Sequence, residues 1–395
     1  MSVDAAAKSP IAKTRQGSWG AVYALTLCVS ALIASEFLPV SLLTPIASDL
    51  RVTEGQAGQA IAISGAFAVI TSLLIPRLIR DLDRRRVLLG LTGLMILSGL
   101  MVAFAPSPGF FMAGRALIGV VVGGFWSMSA ATVMRLVPEA DVPRALNLLN
   151  GGNALATTIA APLGAFLGQY IGWRGAFFLV VPLGAVTLAW QYLTLPALPA
   201  TSTARSAGVL QVLSAPKVAI GMAAVAALFA GRFALFTYLR PFLEGVTHLG
   251  PANLSLFLLL IGLAGLLGSV LVGPMLRKGL RAALIAPPAA MAILALGLIG
   301  LGALPLVTAA LLALWGLIST PSSSAWWTWL SKTLPEDAEA GGGLMVAVIQ
   351  LAITLGAGLG GLLVDTSGYG AAFTVAAFIL FVSAALTAAA SRKAA

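Results

Sequence analysis

The chain has 395 residues, of which 59% are apolar and only 9% charged, with a formal net charge of +10 and a mean hydropathy of +1.00. A soluble domain carries about 25% charged residues, so this composition excludes a water-soluble enzyme or binding module. Instead it suits an all-α integral membrane protein of about twelve spans, because the apolar runs are too long for strands and lack alternation.

Residues 1–18 form a polar tail. The first apolar run, near 19–47, is too long for a signal-peptide core and is expected to stay as a span. Glu36 is its sole charged residue, with Arg15 and Asp49 the nearest charges in sequence. At ~1.5 Å per helical residue the closer of them is ~20 Å away. A carboxylate at membrane depth costs several kcal/mol unless it is paired, protonated or facing water. Glu36 is therefore the expected proton- or cation-binding group, a structural pair with an Arg being the alternative. Cys28, in the same run, has no disulfide partner and is expected to pack.

Further spans near 57–79, 87–105, 110–134, 145–170 and 174–195 complete an N-terminal six-helix bundle over 19–195. The loop after the second reads Arg80-Asp-Leu-Asp83-Arg84-Arg85-Arg86. Arg115 and Trp126 fall on the fourth span, and Asn150, Asn153 and Pro162 on the fifth. Residues 196–216 read as a polar linker. Spans near 217–243, 252–275, 281–303, 305–330, 341–364 and 370–390 form a C-terminal bundle over 217–390, and 391–395 is a tail. Arg232 and Phe236 lie on the seventh span, Trp326, Trp327 and Trp329 on the tenth, and Gln350 on the eleventh. Pro39, Pro162 and Pro321 are tolerated where neighbouring helices re-satisfy the freed backbone groups.

An even span count puts both termini on one side. That side collects eighteen of the 23 Lys and Arg; Arg51, Arg174 and Arg240 fall on the other, and Arg115 and Arg232 inside spans. Such a bias places the termini in the cytoplasm. The basic charge then records orientation, and no nucleic-acid partner is expected.

The two bundles repeat each other. Gly119 and Gly316, Arg135 and Lys332, Pro138 and Pro335, and Glu139 and Glu336 are each separated by 197 residues. Leu163-Gly-Ala-x-Leu-Gly168 returns as Leu355-Gly-Ala-x-Leu-Gly360 at 192, and Pro76-x-Leu-x-Arg80 as Pro274-x-Leu-x-Lys278 at 198. Duplicated six-helix halves are the plan of a large class of secondary transporters, whose substrate site lies between the halves near mid-membrane.

Three motifs add to this. The Arg80–Arg86 loop is similar to the Gly-x-x-x-Asp-Arg-x-Gly-Arg-Arg motif of the major facilitator superfamily, with Pro76 for its opening Gly and the acid displaced. Arg115-x-x-x-Gly119 is similar to that family's Arg-x-x-x-Gly motif, and Ala161-Pro162-Leu-Gly164-x-x-x-Gly168 to the motif of its exporters, with Ala for the first Gly. The chain thus resembles the family's twelve-helix drug/proton antiporters. Glu36-Phe-Leu-Pro-Val-Ser-Leu-Leu-Thr-Pro45, Gly123-Gly-Phe-Trp126-Ser-Met-Ser129, Phe236-Thr-Tyr-Leu-Arg-Pro241 and Ala347-Val-Ile-Gln350-Leu-Ala352 resemble its bacterial purine-ribonucleoside efflux pumps. Arg232 departs from those pumps, where a neutral polar residue is expected.

The resemblance implies the major facilitator fold, twelve transmembrane helices in two pseudo-symmetric halves, in the bacterial inner membrane. It implies proton-coupled export of purine ribonucleosides such as inosine or guanosine, with sugars or drugs as the alternative cargo. The proton gradient supplies the energy, no cofactor is needed, and one chain works as a monomer. Spans one, four, seven and ten line the family's cavity, and Glu36, Arg115 and Arg232 fall on that set. Glu36 and Arg115 are the expected proton-coupling residues, with Arg115 organising carbonyls and waters as the alternative, while Arg232 either binds anionic substrate atoms or pairs with Glu36. Trp126, Phe236 and one of Trp326 and Trp327 suit stacking on a planar base, and Trp329 the membrane-interface belt. Asn150, Asn153 and Gln350 have donors and acceptors for ribose or base edges, or else bond neighbouring helices. Arg84, Arg85 and Arg86 are expected as an orientation signal or, paired with Asp81 or Asp83, as a cytoplasmic latch, and Pro162, Gly164 and Gly168 as part of a ridge of close helix approach.

A membrane enzyme is the rival class. Phosphate-lipid chemistry needs clustered acids for Mg²⁺, and the spans hold Glu36 alone. A Ser hydrolase needs a His, but the single His248 falls in an outer loop, where without a second His no metal site is expected. No Gly-x-x-x-x-Gly-Lys-Ser/Thr loop occurs, so ATP hydrolysis is not expected. A passive pore would conduct without saturation or pH coupling; the repeat and the exporter-like motif favour an alternating-access carrier.

Overall fold

A computed structural model describes residues 17–79, 81–199, 213–277, 279–334 and 338–392. Arg80, Lys278, Pro335 and Glu336, used above for the repeat, lie outside them, as do 200–212 of the linker. The described elements are all helical: α1 (Trp19–Leu50), α2 (Glu54–Leu78), α3 (Arg84–Ala103), α4 (Pro108–Leu136), α5 (Val142–Phe178) and α6 (Val180–Thr194), then α7 (Pro216–Phe236), α8 (Leu239–Gly245), α9 (Pro251–Arg277), α10 (Leu280–Leu301), α11 (Pro305–Thr333) and α12 (Ala338–Arg392).

Local chemistry sets several starts. Thr53 and Gln56 form a reciprocal capping box on α2, Asp83 caps α3, and Ser107 caps α4 just ahead of Pro108; each satisfies orphan N–H groups of a first turn. Ten helical stretches among the described residues are long and apolar enough to cross a bilayer. Two of them, Glu139–Thr194 with 56 residues and Gly341–Ala389 with 49, far exceed the ~20 residues that one crossing needs. Each is broken by a glycine in the left-handed region, Gly172 at φ 69° and Gly368 at φ 78°, a backbone state open to glycine at little cost. Each therefore holds two crossings, and the total is twelve.

The repeat read from the sequence is also a repeat of contacts. A Cβ on Gly119 of α4 would overlap the Ser64 carbonyl of α2, and one on Gly316 of α11 the Ile261 carbonyl of α9; both members are 197 apart. Gly164 and Gly168 of α5 pack against Leu38 and Leu42 of α1, as Gly356 and Gly360 of α12 pack against Ala230 and Ala234 of α7. Those pairs are all 192 apart. Without side chains the facing backbones approach closely, which is how helices associate where lipid removes the hydrophobic drive.

The halves meet along α2 with α12 and α5 with α9. The hydrogen bonds that join them among the described residues gather toward the end away from the chain termini, called here the far end. The Asp365 carboxylate accepts from Thr53 Oγ1 at 2.6 Å and from the Gly55 N–H at 3.0 Å, so it sits on the N-terminus of α2, where the helix dipole favours an anion. Tyr369 donates to Glu54 at 2.5 Å. Gln169 of α5 donates to the Pro251 carbonyl at 2.9 Å. Tyr238, fully buried, donates to the Ala357 carbonyl of its own half at 2.8 Å and crosses to the other by filling the space left by Gly58 of α2. Side-facing positions such as Leu73, Leu193, Leu267 and Phe378 are exposed, as a surface bathed in acyl chains allows.

Candidate functional site

The site is built on α1, whose two prolines each free a carbonyl one turn back. Pro39 leaves the Ser35 carbonyl without its helical donor, and Arg115 of α4 supplies one at 2.8 Å. Pro45 leaves the Ser41 carbonyl, and Arg240 of α8, reaching over from the C-terminal half, donates to it. Arg240 is held from behind by Glu244 at 2.9 Å. Arg115 also donates to the Glu36 carbonyl at 3.0 Å and reaches the Ala60 carbonyl at 3.4 Å and Ser64 Oγ at 3.5 Å. It is wholly buried, with its donors directed to three backbone carbonyls and one hydroxyl.

Glu36 is buried as well, 5% exposed. Among the described residues the ion pairs are Arg174–Asp49 and Arg240–Glu244, so Arg115 lies beside Glu36 without pairing to its carboxylate. The group that meets the carboxyl is the Gln350 amide of α12, from the other half; Gln350 Oε1 is buried without a hydrogen-bond partner. One residue further along, Phe37 stacks on Phe233 of α7 with ring centres 5.9 Å apart. Glu36 is thus placed where the two halves touch.

Replacing Arg115 by Met is expected to strand the Ser35 and Glu36 carbonyls in the core at about 1–3 kcal/mol each. The detergent-solubilised variant should melt well below the parent in a thermal unfolding scan. Unchanged melting would show that these bonds do not hold α1 to α4.

Arg232 stands apart from this cluster. It does not pair with Glu36: among the described residues it donates to Ser323 Oγ of α11 at 3.4 Å and lies over the Phe233 ring at 5.9 Å, and its Nε is buried without a partner. It borders a cavity of about 50 Å³ with Phe236, Thr157, Thr158, Trp315 and Ser319 among the walls. α5, α7, α9 and α11 all contribute, so the cavity spans both halves.

The remaining candidates divide. Trp326 is buried with its Nε1 unpartnered, whereas Trp327 is 43% exposed and turned away. Trp329, expected in the interface belt, is buried instead, edge-on to Trp326 at 5.2 Å and against Gly221, because that glycine leaves room for an indole. Trp126 is half-buried on α4 beside Phe125, packed on the N-terminal core. On α5 Asn150 is exposed and Asn153 half-buried, about two turns and one turn respectively before Thr157 of the Arg232 cavity.

This arrangement of duplicated bundles about a polar centre has close counterparts. The sequence pattern of the Major Facilitator Superfamily matches residues 24–342. The chain belongs to the major facilitator superfamily. It is 56% identical over 377 residues, 94% of each chain, to a Pseudomonas aeruginosa protein named transcription regulatory protein OpdE. It is 39% identical over 369 residues, 93% of each chain, to the purine ribonucleoside efflux pump NepI of Escherichia coli K12. In fold it is similar to a bacterial homologue of the human lysosomal transporter Spinster in an inward-facing, unoccupied conformation, with TM-score 0.78 at 14% identity over 97% of this chain and 98% of that one. The human organic anion transporter MFSD10 aligns with TM-score 0.65 at 18% identity, covering 94% and 99%.

With the chain in the major facilitator superfamily, its motif residues take definite places. The Asp83 carboxylate accepts from the Arg85 N–H at 2.8 Å and the Leu198 N–H at 3.0 Å. Arg84 donates to the Ile79 carbonyl at 2.8 Å and Arg85 to the Tyr192 carbonyl at 2.7 Å. The expected latch of Arg onto Asp is therefore replaced by bonds to backbone, since Asp83 is already committed as a helix cap. They tie the α2–α3 loop to the chain leaving α6. Pro162 frees the Thr158 carbonyl, which faces Gly262 of α9, so the exporter-like motif sits at contacts with both α1 and α9. Sequence reasoning passed over Arg240, Asp365 and Tyr369; Pro45 was the available signal for Arg240, since a freed carbonyl in a buried helix calls for a donor.

Proposed function

We propose that this chain is a proton-coupled exporter that works by alternating access, with purine ribonucleosides such as inosine or guanosine as cargo. It works as a single chain in the bacterial inner membrane with both termini in the cytoplasm. The observation that carries the reading is Glu36: a buried carboxyl between the halves, met by the Gln350 amide, while the nearest guanidinium is occupied by carbonyls. A carboxyl left without an ion pair changes charge when it gains or loses a proton, and that charge bears directly on a contact between the halves.

The cycle then runs as follows. With the far end clasped, the cavity opens toward the cytoplasm and takes cargo. Opening of the far end exposes Glu36 to the more acidic outer side, where a proton neutralises it and cargo leaves. Return to the cytoplasmic side releases the proton. Gln350 can face the carboxylate as a donor and the protonated acid as an acceptor, so it suits a group that alternates between the two. A carrier that sets the cytoplasmic level of an effector changes gene expression without touching DNA, which accommodates the name of the Pseudomonas relative.

The test is labelled inosine uptake into inverted vesicles with an acid lumen. Saturable uptake that disappears when the gradient is collapsed supports the reading; uptake that survives collapse sinks proton coupling. Uptake no greater than that of empty vesicles rejects the nucleoside.

A further inference from the structure

We propose that the Arg232 cavity binds the negative group of an anionic substrate, so that the preferred cargo is an organic anion bearing a planar ring. The inference rests on the carrier reading above and narrows its substrate class. Its physical basis is the contrast between two arginines at membrane depth. Arg115 has four acceptors in reach, three of them backbone carbonyls. Arg232 has one hydrogen bond, at 3.4 Å, the face of the Phe233 ring 5.9 Å away, and a buried Nε with no partner. A cation at membrane depth without an ion pair is costly, and the lining of its cavity contains no carboxylate to offset it.

The neighbourhood is rich in donors. Ser319, Ser322, Ser323 and Trp326 share one face of α11 at helical spacing, and Ser323 on that face meets Arg232. Ser322 Oγ and Trp326 Nε1 are both buried with no partner. A guanidinium with an unmatched N–H on a cavity with no acid in its walls is what an anion completes, matching a carboxylate or similar group with two parallel bonds. The cavity, about 50 Å³, admits one small polar group and not a whole nucleoside. Phe236 and Trp315 in its walls provide aromatic surface for an attached ring.

The experiment uses the full chain purified in detergent, with binding read by calorimetry. The probes are xanthosine, a purine nucleoside whose base is ionised at neutral pH, inosine, which is neutral, and benzoate, a ring with a carboxylate and no ribose. Xanthosine is expected to bind about tenfold or more tightly than inosine, the size of one charge-assisted hydrogen bond. Arg232→Gln should erase that preference, and Arg232→Lys should keep part of it. Equal affinities in the parent, or a preference unchanged in Arg232→Gln, overturn the inference even if inosine binds and the nucleoside reading stands. Binding of benzoate that depends on Arg232, with neither nucleoside bound, sustains the anion and removes the purine. If Arg232→Gln does not fold, acid titration of the parent decides: the preference for xanthosine should vanish as its base becomes neutral, and its persistence overturns the inference.

Discussion

Glu36→Gln is expected to abolish uphill transport while preserving exchange of cargo for cargo. The amide matches the protonated acid in shape, so the contact with Gln350 across the halves can persist. What it cannot do is release a proton, and the coupling of proton to cargo goes with it. Coupling between sites is typically worth 5- to 150-fold, so gradient-driven accumulation should fall on the order of a hundredfold. Counterflow, which needs only reorientation with cargo bound, should stay near the parent rate. Full uphill transport by the variant would remove Glu36 from the coupling mechanism, and equal loss of both activities would mark it as structural.

Asp365→Ala is expected to release the far end. The carboxylate accepts from Thr53 and from the Gly55 N–H, and hydrogen bonds to a charged group contribute about 1.5–3 kcal/mol each. Losing both from one conformation only, about 3–6 kcal/mol, shifts the balance between the two by roughly a hundredfold to ten-thousandfold. The lone native cysteine, Cys28, is buried, so a reporter thiol can be read against a low background. Thr354→Cys, in α12 beside Gly65 of α2, should react with a maleimide from the far side at least tenfold faster in the Asp365→Ala background. An unchanged labelling rate would mean that Asp365 does not hold the halves together.

The crossings were legible because charges and Pro/Gly clusters punctuate an otherwise uniform apolar chain. The fifth and sixth stood out through Arg174 beside Gly172, where the backbone leaves the helical region. Glu36, Arg115 and Arg232 were legible for their cost. Which of them met which was not, since that depends on how far one helix rotates against another: Arg115 turned to carbonyls, and Arg232 away from Glu36. Asp365, Glu54 and Tyr369 escaped notice because polar residues at span ends are expected in any membrane protein. Arg240, counted as a loop charge, proved buried.

The two repeat spacings differ, and the difference has a location. Contacts of α1 recur in α7 after 192 residues, but those of α2 recur in α9 after 197. Five extra residues therefore enter between α7 and α9, the stretch that holds α8, Arg240 and Glu244. That stretch forms part of the bolt on one door of the carrier, and α8 itself adds no residue to the walls of the Arg232 cavity proposed to hold cargo. Changes confined to it can alter how long the door stays shut, and so the pace of turnover, with the choice of cargo left alone. Speed and selectivity are written in different parts of the chain, and a lineage can adjust one while inheriting the other.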